Sequence, residues 1–180
     1  ALIFDLDGVL TDTAIYHYHA WKALADELGI PFNEQDNEQL KGVDRLGSLR
    51  LILQKGQLSL SPAEEQRLMA SKNQHYLELI ADMGPADLFN GTAGLFASLK
   101  QQGIKTALAS ASKNAGFVVE RLGIASQFDY IADAAKVANS KPAPDIFLLA
   151  ARGLNIKPQQ CVGVEDAQAG IVAILSAGML

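Results

Sequence analysis

The 180-residue sequence contains a single cysteine, Cys161, so it cannot form an internal disulfide bond. One cysteine is typical of proteins that fold in a reducing compartment. The sequence also has no basic stretch followed by an apolar segment, as a signal peptide would. We therefore expect a cytoplasmic protein. Cys161 itself stands in an apolar run, which predicts a small buried residue rather than a nucleophile.

Positive charge and long apolar runs are also scarce. The sequence has 15 Lys and Arg against 20 Asp and Glu, for a formal net charge of -5. General nucleic-acid binding rests on clustered Lys and Arg, so we expect no nucleic-acid partner. No apolar stretch approaches the ~20 residues that a membrane helix needs, so we expect no membrane association. We also expect a monomer. A small phosphorylated ligand remains compatible with this composition, because it needs only a few well-placed cations.

The apolar residues that are present indicate a packed core. They make up 49% of the chain and recur in short runs at 1–4, 105–109, 130–132 and 161–164. Such runs, separated by helical patterns, are typical of parallel strands covered on both faces. We therefore predict an α/β fold with a doubly wound parallel sheet. The helical patterns lie at 93–102, 115–122, 144–152 and 167–176, with Gly103, Gly123 and Gly153 placed just past helix ends.

Residues 13–83 interrupt this alternation. They contain no convincing strand, and helical patterns cover 14–28, 38–55 and 62–80. We predict a small all-helical cap domain at 13–83, inserted on two hinges after the first strand. The α/β core domain would then comprise 1–12 and 84–180. Because the chain starts abruptly in a strand and stops just after a helix, we also expect it to be a segment of a longer protein.

The strongest chemical motif is the pair of carboxylates that directly follows the first strand, Asp5 and Asp7. Residues two apart project the same way from extended chain, so both could face one site. Open α/β sheets bind ligands at this end of their strands. Two close carboxylates require a compensating cation, and magnesium prefers such hard oxygen ligands. The simpler alternative is an Asp pair that caps the next helix, but the strand context and Gly8 favour a site.

A second acidic pair, Glu165 and Asp166, follows the last apolar run. Because parallel strands end at the same edge of the sheet, this pair should lie near Asp5 and Asp7. Four carboxylates together would be intolerable without a metal. Asp166 could instead be the N-cap of the helix that follows it.

Two further segments at the same edge carry groups suited to phosphate. Residues 110–114, Ser-Ala-Ser-Lys-Asn, offer hydroxyls, an amide and backbone N–H groups before a helix, which suits an anion. The alternative is an ordinary Ser or Asn helix cap. Lys141 lies between a strand and a helix in a proline-containing loop. A lone loop lysine is usually just solvated, but this one follows the edge that holds the acids.

In their order and types, these four motifs resemble the haloacid dehalogenase superfamily of phosphotransferases, and the likeness runs from end to end of the chain. The resemblance implies that Asp5 attacks phosphorus and becomes an aspartyl phosphate, while Asp7 acts as acid and base. It implies that Ser110 and Lys141 hold the transferring phosphoryl group. It also implies a Mg²⁺ cofactor, bound by Asp5, the backbone carbonyl of Asp7, Glu165 and Asp166.

Stretches in both the core and the predicted cap are similar to one branch of that superfamily, the hexose-phosphate mutases. These stretches include 11–14, 20–25, 37–43 and 109–114. The resemblance implies an isomerase that interconverts β-D-glucose 1-phosphate and D-glucose 6-phosphate through an aspartyl phosphate and a 1,6-bisphosphate. It also implies substrate-binding roles for Thr13, His17, Trp21, Lys41, Gly42, Val43, Arg45, Lys72, Ala111, Ser112, Lys113 and Asn114.

Other interpretations remain open for several of these positions and for the function. Trp21 lies at helical spacing from Leu24, which is more often a core position than a ligand contact. Arg45 could be an ordinary surface arginine, and Asp44 stands where the family leads us to expect a small polar residue. The family also continues past residue 180 into one more strand and helix. The functional alternatives are a magnesium-dependent sugar-phosphate phosphatase and a non-catalytic ligand-binding member.

Overall fold

The computed structural model describes residues 1–180 and divides them into two compact units. We call Ala1–Asp12 together with Met83–Leu180 the α/β unit, and Thr13–Asp82 the helical unit.

The α/β unit is built on a four-stranded sheet in which every neighbouring pair is parallel. The sheet order is β3-β2-β1-β4, so β1 is central and β2 and β4 flank it. This confirms the predicted doubly wound α/β class. Each strand is one or two residues shorter than its apolar run. The strands are β1 (Leu2–Phe4), β2 (Thr106–Leu108), β3 (Tyr130–Ile131) and β4 (Val162–Val164).

The helical unit contains α1 (Ala14–Glu27), α2 (Glu34–Glu38), α3 (Arg45–Lys55) and α4 (Pro62–Leu79). The prediction of one helix over 38–55 is wrong, because α2 ends at Glu38 and α3 starts at Arg45. Gly42 has φ +73°, which a right-handed helix does not permit. Asp44 then starts α3, since its carboxylate accepts a hydrogen bond from the Gly47 N–H at 2.7 Å.

The α/β unit adds α5 (Thr92–Gln101), α6 (Ala115–Arg121), α7 (Asp145–Leu154) and α8 (Gln168–Ser176), with short 3-10 turns between elements. Gly153 does not end α7 as predicted. The helix continues to Leu154 and ends at Asn155, which takes the left-handed conformation at φ 56°. A Cβ on Gly153 would lie 2.4 Å from the Tyr130 ring, so this glycine serves helix-to-strand packing.

Each unit has its own hydrophobic core. Ile3, Phe147 and Ile174 belong to the cluster that joins the sheet of the α/β unit to α7 and α8, and buried Cys161 lies in the same cluster. The helical unit packs Trp21 and other side chains of α1, α3 and α4 into a second cluster. None of the helices is long and apolar enough to cross a bilayer.

Candidate active site

The register of the sheet brings three chain segments to one edge. Phe4 pairs with Leu108 on one side and with Val164 on the other. The backbone ladder continues one step further, since the Asp5 N–H donates to the Val164 carbonyl at 2.9 Å. Asp5 therefore leaves the sheet between the segment that begins at Ala109 and the one that begins at Glu165.

An acidic cluster forms at this edge. One carboxylate oxygen each from Asp5, Glu165 and Asp166 lies within 4.8 Å of the others. Burial raises the pKa of Glu165, and repulsion from Asp5 raises it further. Asp166 is exposed, so the cluster opens toward solvent on one side. Three hard oxygen donors at this spacing suit a divalent cation such as Mg²⁺ or Ca²⁺ better than a soft metal.

Lys141 supplies the positive charge beside this cluster. Its Nζ donates to Asp5 Oδ1 at 2.8 Å and to Glu165 Oε2 at 2.6 Å. The side chain is 0% exposed. Burial lowers the pKa of Lys141, but the two carboxylates outweigh it, so the net pKa is raised and the lysine stays charged. The alternative of a merely solvated loop lysine is therefore wrong.

Asp7 is placed differently from Asp5. Its carboxylate is not among the three that form the cluster. The strand ends at Phe4 and the chain bends at Leu6, so the alternation that would point Asp5 and Asp7 the same way does not apply. Gly8 follows with φ +78°, and a Cβ there would lie 2.2 Å from Asp166 Oδ2. Gly8 thus permits both the turn and the close approach of Asp166.

Asp166 is not a helix cap, so that alternative from the sequence is wrong. The N-cap of α8 is Ala167, without a side-chain cap hydrogen bond. The Ala167 N–H donates instead to Glu165 Oε1 at 3.2 Å. The carboxylate of Asp166 remains in the acidic cluster.

The loop after β2 is organised by its own hydroxyl groups. Ser110 Oγ accepts from the Ser112 N–H at 3.1 Å, and Ser112 Oγ accepts from the Asn114 N–H at 3.2 Å. A hydroxyl that accepts a hydrogen bond still has its own proton to donate, and phosphate oxygens can accept it. Ser110 is buried, Ala111 is partly buried and Lys113 is exposed. Asn114 is the N-cap of α6, but its side chain makes no cap hydrogen bond.

In the helical unit, Lys72 and His17 form a pair between α4 and α1. Lys72 Nζ lies 2.8 Å from His17 Nδ1. The ammonium also stands over the Trp21 ring at 4.6 Å and the Tyr76 ring at 4.9 Å. His17 stacks on Tyr76 with 4.1 Å between ring centroids. Trp21 is only 3% exposed and belongs to the core cluster of this unit, and Lys72 is also buried, at 3% exposed.

Arg45 is the first residue of α3, and its guanidinium Nη2 donates to Asn73 Oδ1 on α4 at 2.6 Å. Burial lowers the pKa of Arg45, but a guanidinium remains charged at neutral pH. The sequence did not identify Asn73 or Tyr76 as partners of the predicted site residues. No local signal points to Asn73, because α3 and α4 meet only through tertiary packing. Tyr76 lies four residues after Lys72 on α4, so helical spacing could have placed these two side chains on one face.

The remaining predicted residues lie near the ends of helices. Thr13 is buried and precedes α1. Lys41 pairs with Glu38 at 2.9 Å on a partly exposed surface. Gly42 and Val43 lie in the turn before α3. Surface pairs such as Lys41–Glu38 contribute little to stability, so Lys41 can exchange this partner at small cost.

We expect His17 to make the protein less stable in acid. Burial lowers its pKa well below the usual value, and the charges of Lys72 and Arg45 lower it further. Below about pH 6.5 the unfolded chain binds a proton that the folded chain does not, so the free energy of unfolding falls as pH falls. The slope from this group is at most about 1.4 kcal/mol per pH unit.

The test is urea unfolding of the His17→Gln variant between pH 7.5 and 5. Its free energy of unfolding should depend less on pH than that of the unmutated protein. The exposed His19 is the matched control, and His19→Gln should keep the original slope. An unchanged slope in His17→Gln would show that another group causes the acid sensitivity.

Comparison with known protein families gives one match over nearly the whole chain. The profile of the haloacid dehalogenase-like hydrolases matches residues 1–178. The chain belongs to this family. The resemblance inferred from the four motifs is therefore confirmed at the level of the family.

Individual relatives within this family show which enzymes the chain is similar to. A β-phosphoglucomutase of Bacillus subtilis is 49% identical over 99% of this chain and 80% of its own length. The crystal structure of a β-phosphoglucomutase from Clostridium difficile superposes with a TM-score of 0.97 at 50% identity, covering 99% of this chain and 81% of that one. A phosphorylated carbohydrates phosphatase of Thermotoga maritima is 30% identical, over 99% of this chain and 82% of its own.

Proposed function

We propose that this protein is a phosphomutase that interconverts β-D-glucose 1-phosphate and D-glucose 6-phosphate through an aspartyl phosphate on Asp5 and a bound 1,6-bisphosphate. The isomerase assignment is supported by 49% identity to one mutase and by a TM-score of 0.97 to another, against 30% identity to a phosphatase. The α/β unit would act as the catalytic core and the helical unit as its cap.

The contact of Lys141 with both Asp5 and Glu165 carries the catalytic part of the proposal. A buried carboxylate that lies beside a cation can serve as a nucleophile toward phosphorus. Asp5 Oδ would form the new P–O bond while the bond from phosphorus to the sugar oxygen breaks. Lys141 and the Ser110 hydroxyl would stabilise the negative charge on the transferring group, which is where most of the catalysis of phosphoryl transfer arises.

Asp7 is proposed as the acid and base of the two half-reactions. It would give a proton to the sugar oxygen that leaves phosphorus. In the second half-reaction it would take the proton from the sugar hydroxyl that attacks phospho-Asp5. A water molecule attacking in place of that hydroxyl would convert the mutase into a phosphatase, so the enzyme must keep water from the phosphorylated carboxylate.

The family and the acidic cluster imply a divalent metal, and we propose that it is Mg²⁺. Oxygens of Asp5, Glu165 and Asp166 would hold it, together with the backbone carbonyl of Asp7. Bound there, Mg²⁺ supplies positive charge that offsets the developing charge of the phosphoryl group and orients its oxygens.

The non-reacting phosphate of the bisphosphate needs its own recognition group, and Arg45 is the best candidate. A planar guanidinium recognises phosphate through two parallel hydrogen bonds. The Asn73 contact leaves the other guanidinium N–H groups of Arg45 for such a ligand. Ser112, Lys113 and Asn114 are proposed to bind the same phosphate. The other residues to which the family resemblance gives a substrate-binding role are proposed to surround the sugar phosphate. They are Thr13, His17, Trp21, Lys41, Gly42, Val43, Lys72 and Ala111.

The function is tested by a phosphorus NMR time course with β-glucose 1-phosphate, Mg²⁺ and a trace of glucose 1,6-bisphosphate. Growth of the glucose 6-phosphate signal is the expected result. Release of inorganic phosphate alone would make the protein a phosphatase. Absence of any reaction would favour the non-catalytic alternative.

We expect Arg45→Ala to reduce kcat/KM for the mutase reaction by about 100-fold, because each hydrogen bond to a charged group contributes roughly 1.5–3 kcal/mol. Release of phosphate from the aspartyl phosphate should fall much less, since it needs no second phosphate. Arg50→Ala is the matched control on the same helix, where Arg50 pairs with Glu65. Equal losses in both reactions would refute a specific role for Arg45.

The cytoplasmic location and the monomeric state expected from the sequence stay predictions. Gel filtration with light scattering would test the second of these. A sugar phosphate as the substrate agrees with the phosphorylated sugars named for the relatives.

A further inference from the structure

Gly170 lies directly against the side chain of Glu165. A Cβ placed on Gly170 would lie 1.8 Å from Glu165 Oε2, 2.0 Å from Cδ and 2.4 Å from Cγ. These three distances are all far below van der Waals contact. Any side chain at position 170 would therefore occupy the space that the end of the Glu165 side chain now fills.

The side chain of Glu165 is confined by burial and by its hydrogen bonds. Its side chain is 0% exposed. Oε2 is bonded to Lys141 Nζ at 2.6 Å, and Oε1 accepts from the Ala167 N–H at 3.2 Å. Because both carboxylate oxygens are held, an added methyl group at 170 would displace the Glu165 side chain and so disturb its contacts with Lys141 and Ala167.

Backbone conformation does not explain why position 170 is a glycine. Gly170 is the third residue of α8 and is not among the glycines with positive φ. A glycine in a helix is less favourable than an alanine, so this residue weakens α8. What it provides in return is room for the carboxylate.

We propose that Gly170 is a positioning residue for the metal-binding cluster. It lets Glu165 lie against α8, which places the carboxylate next to Lys141 and within reach of Asp5 and Asp166. This inference rests on the proposed function, since it assigns Gly170 to the proposed magnesium site. Gly170 itself touches neither metal nor substrate.

Gly170→Ala should therefore weaken Mg²⁺ binding by about 10- to 100-fold, the usual effect of disturbing the groups that orient metal ligands. Isothermal titration calorimetry with MgCl₂ measures this directly and needs no turnover. The matched control is Gly94→Ala. Gly94 is also the third residue of its helix, α5, but a Cβ there meets nothing within 4 Å. Gly94→Ala should bind Mg²⁺ as the unmutated protein does, with an equal or higher Tm.

A double-mutant cycle separates the clash from a general effect on α8. With Glu165→Ala as the background the clashing side chain is absent, so adding Gly170→Ala should not weaken Mg²⁺ binding further. Binding by Gly170→Ala within twofold of the unmutated protein would overturn the inference. So would an equal loss of affinity in the Glu165→Ala background. If the unmutated protein bound no Mg²⁺, the proposed metal site would fail, and the inference with it.

Discussion

Asp5→Asn is expected to lower the rate of phosphoryl transfer by about 10⁴-fold or more, because an amide cannot replace a carboxylate as the nucleophile. The fold should survive, since Lys141 keeps its contact with Glu165 when Asp5 changes. The substitution also removes the repulsion that raises the pKa of Glu165. Phosphorus NMR should show neither glucose 6-phosphate nor inorganic phosphate forming from β-glucose 1-phosphate.

The matched control for Asp5→Asn is Asp133→Asn. Asp133 follows β3 at the same edge of the sheet, but it is exposed and its carboxylate accepts from the Ala135 N–H. Asp133→Asn should retain activity within a few fold. Retained activity in Asp5→Asn would mean that another group attacks phosphorus, and the mechanism proposed for this protein would have to be abandoned.

The second large effect is expected for Lys141→Met. The substitution leaves Asp5 and Glu165 facing each other in a buried site without their cation. Removing one partner of a buried ion pair typically costs about 3–5 kcal/mol of stability. Chemical denaturation in the presence of EDTA should show a loss of that size, and mutase activity should fall together with it.

The effect of added Mg²⁺ on the stability of Lys141→Met gives a second test of the role of this lysine. A divalent cation compensates the same carboxylates, and a ligand that binds only the folded state stabilises it. Millimolar Mg²⁺ should therefore raise the Tm of Lys141→Met more than it raises the Tm of the unmutated protein. Lys136→Met, at an exposed lysine, is the control and should change neither stability nor the response to Mg²⁺. A stable Lys141→Met variant that ignores Mg²⁺ would show that the lysine does not balance these acids.

Local patterns predicted most of the architecture. The four apolar runs became the four strands, because a run bounded by turn residues between helices has few alternatives to a buried parallel strand. The sequence predicted α1, α4, α5, α6 and α8 to within one residue at each end. It failed between residues 38 and 55, where a continuous helical pattern hides the turn at Gly42 and the cap at Asp44. It failed again at Gly153, which looked like a helix end but makes room for Tyr130.

The candidate active site, like the fold, could be predicted only in part from the sequence. The sequence by itself determined which residues follow the strands, and therefore that Asp5, Ser110 and Glu165 meet at one edge of the sheet. It could not place the groups whose partners are distant along the chain. Tertiary packing decided three of these arrangements. Lys141 lies between two carboxylates, Asn73 lies beside Arg45, and Gly170 leaves space for Glu165. These contacts depend on where helices and loops settle against the sheet or against one another, and no local periodicity encodes that position.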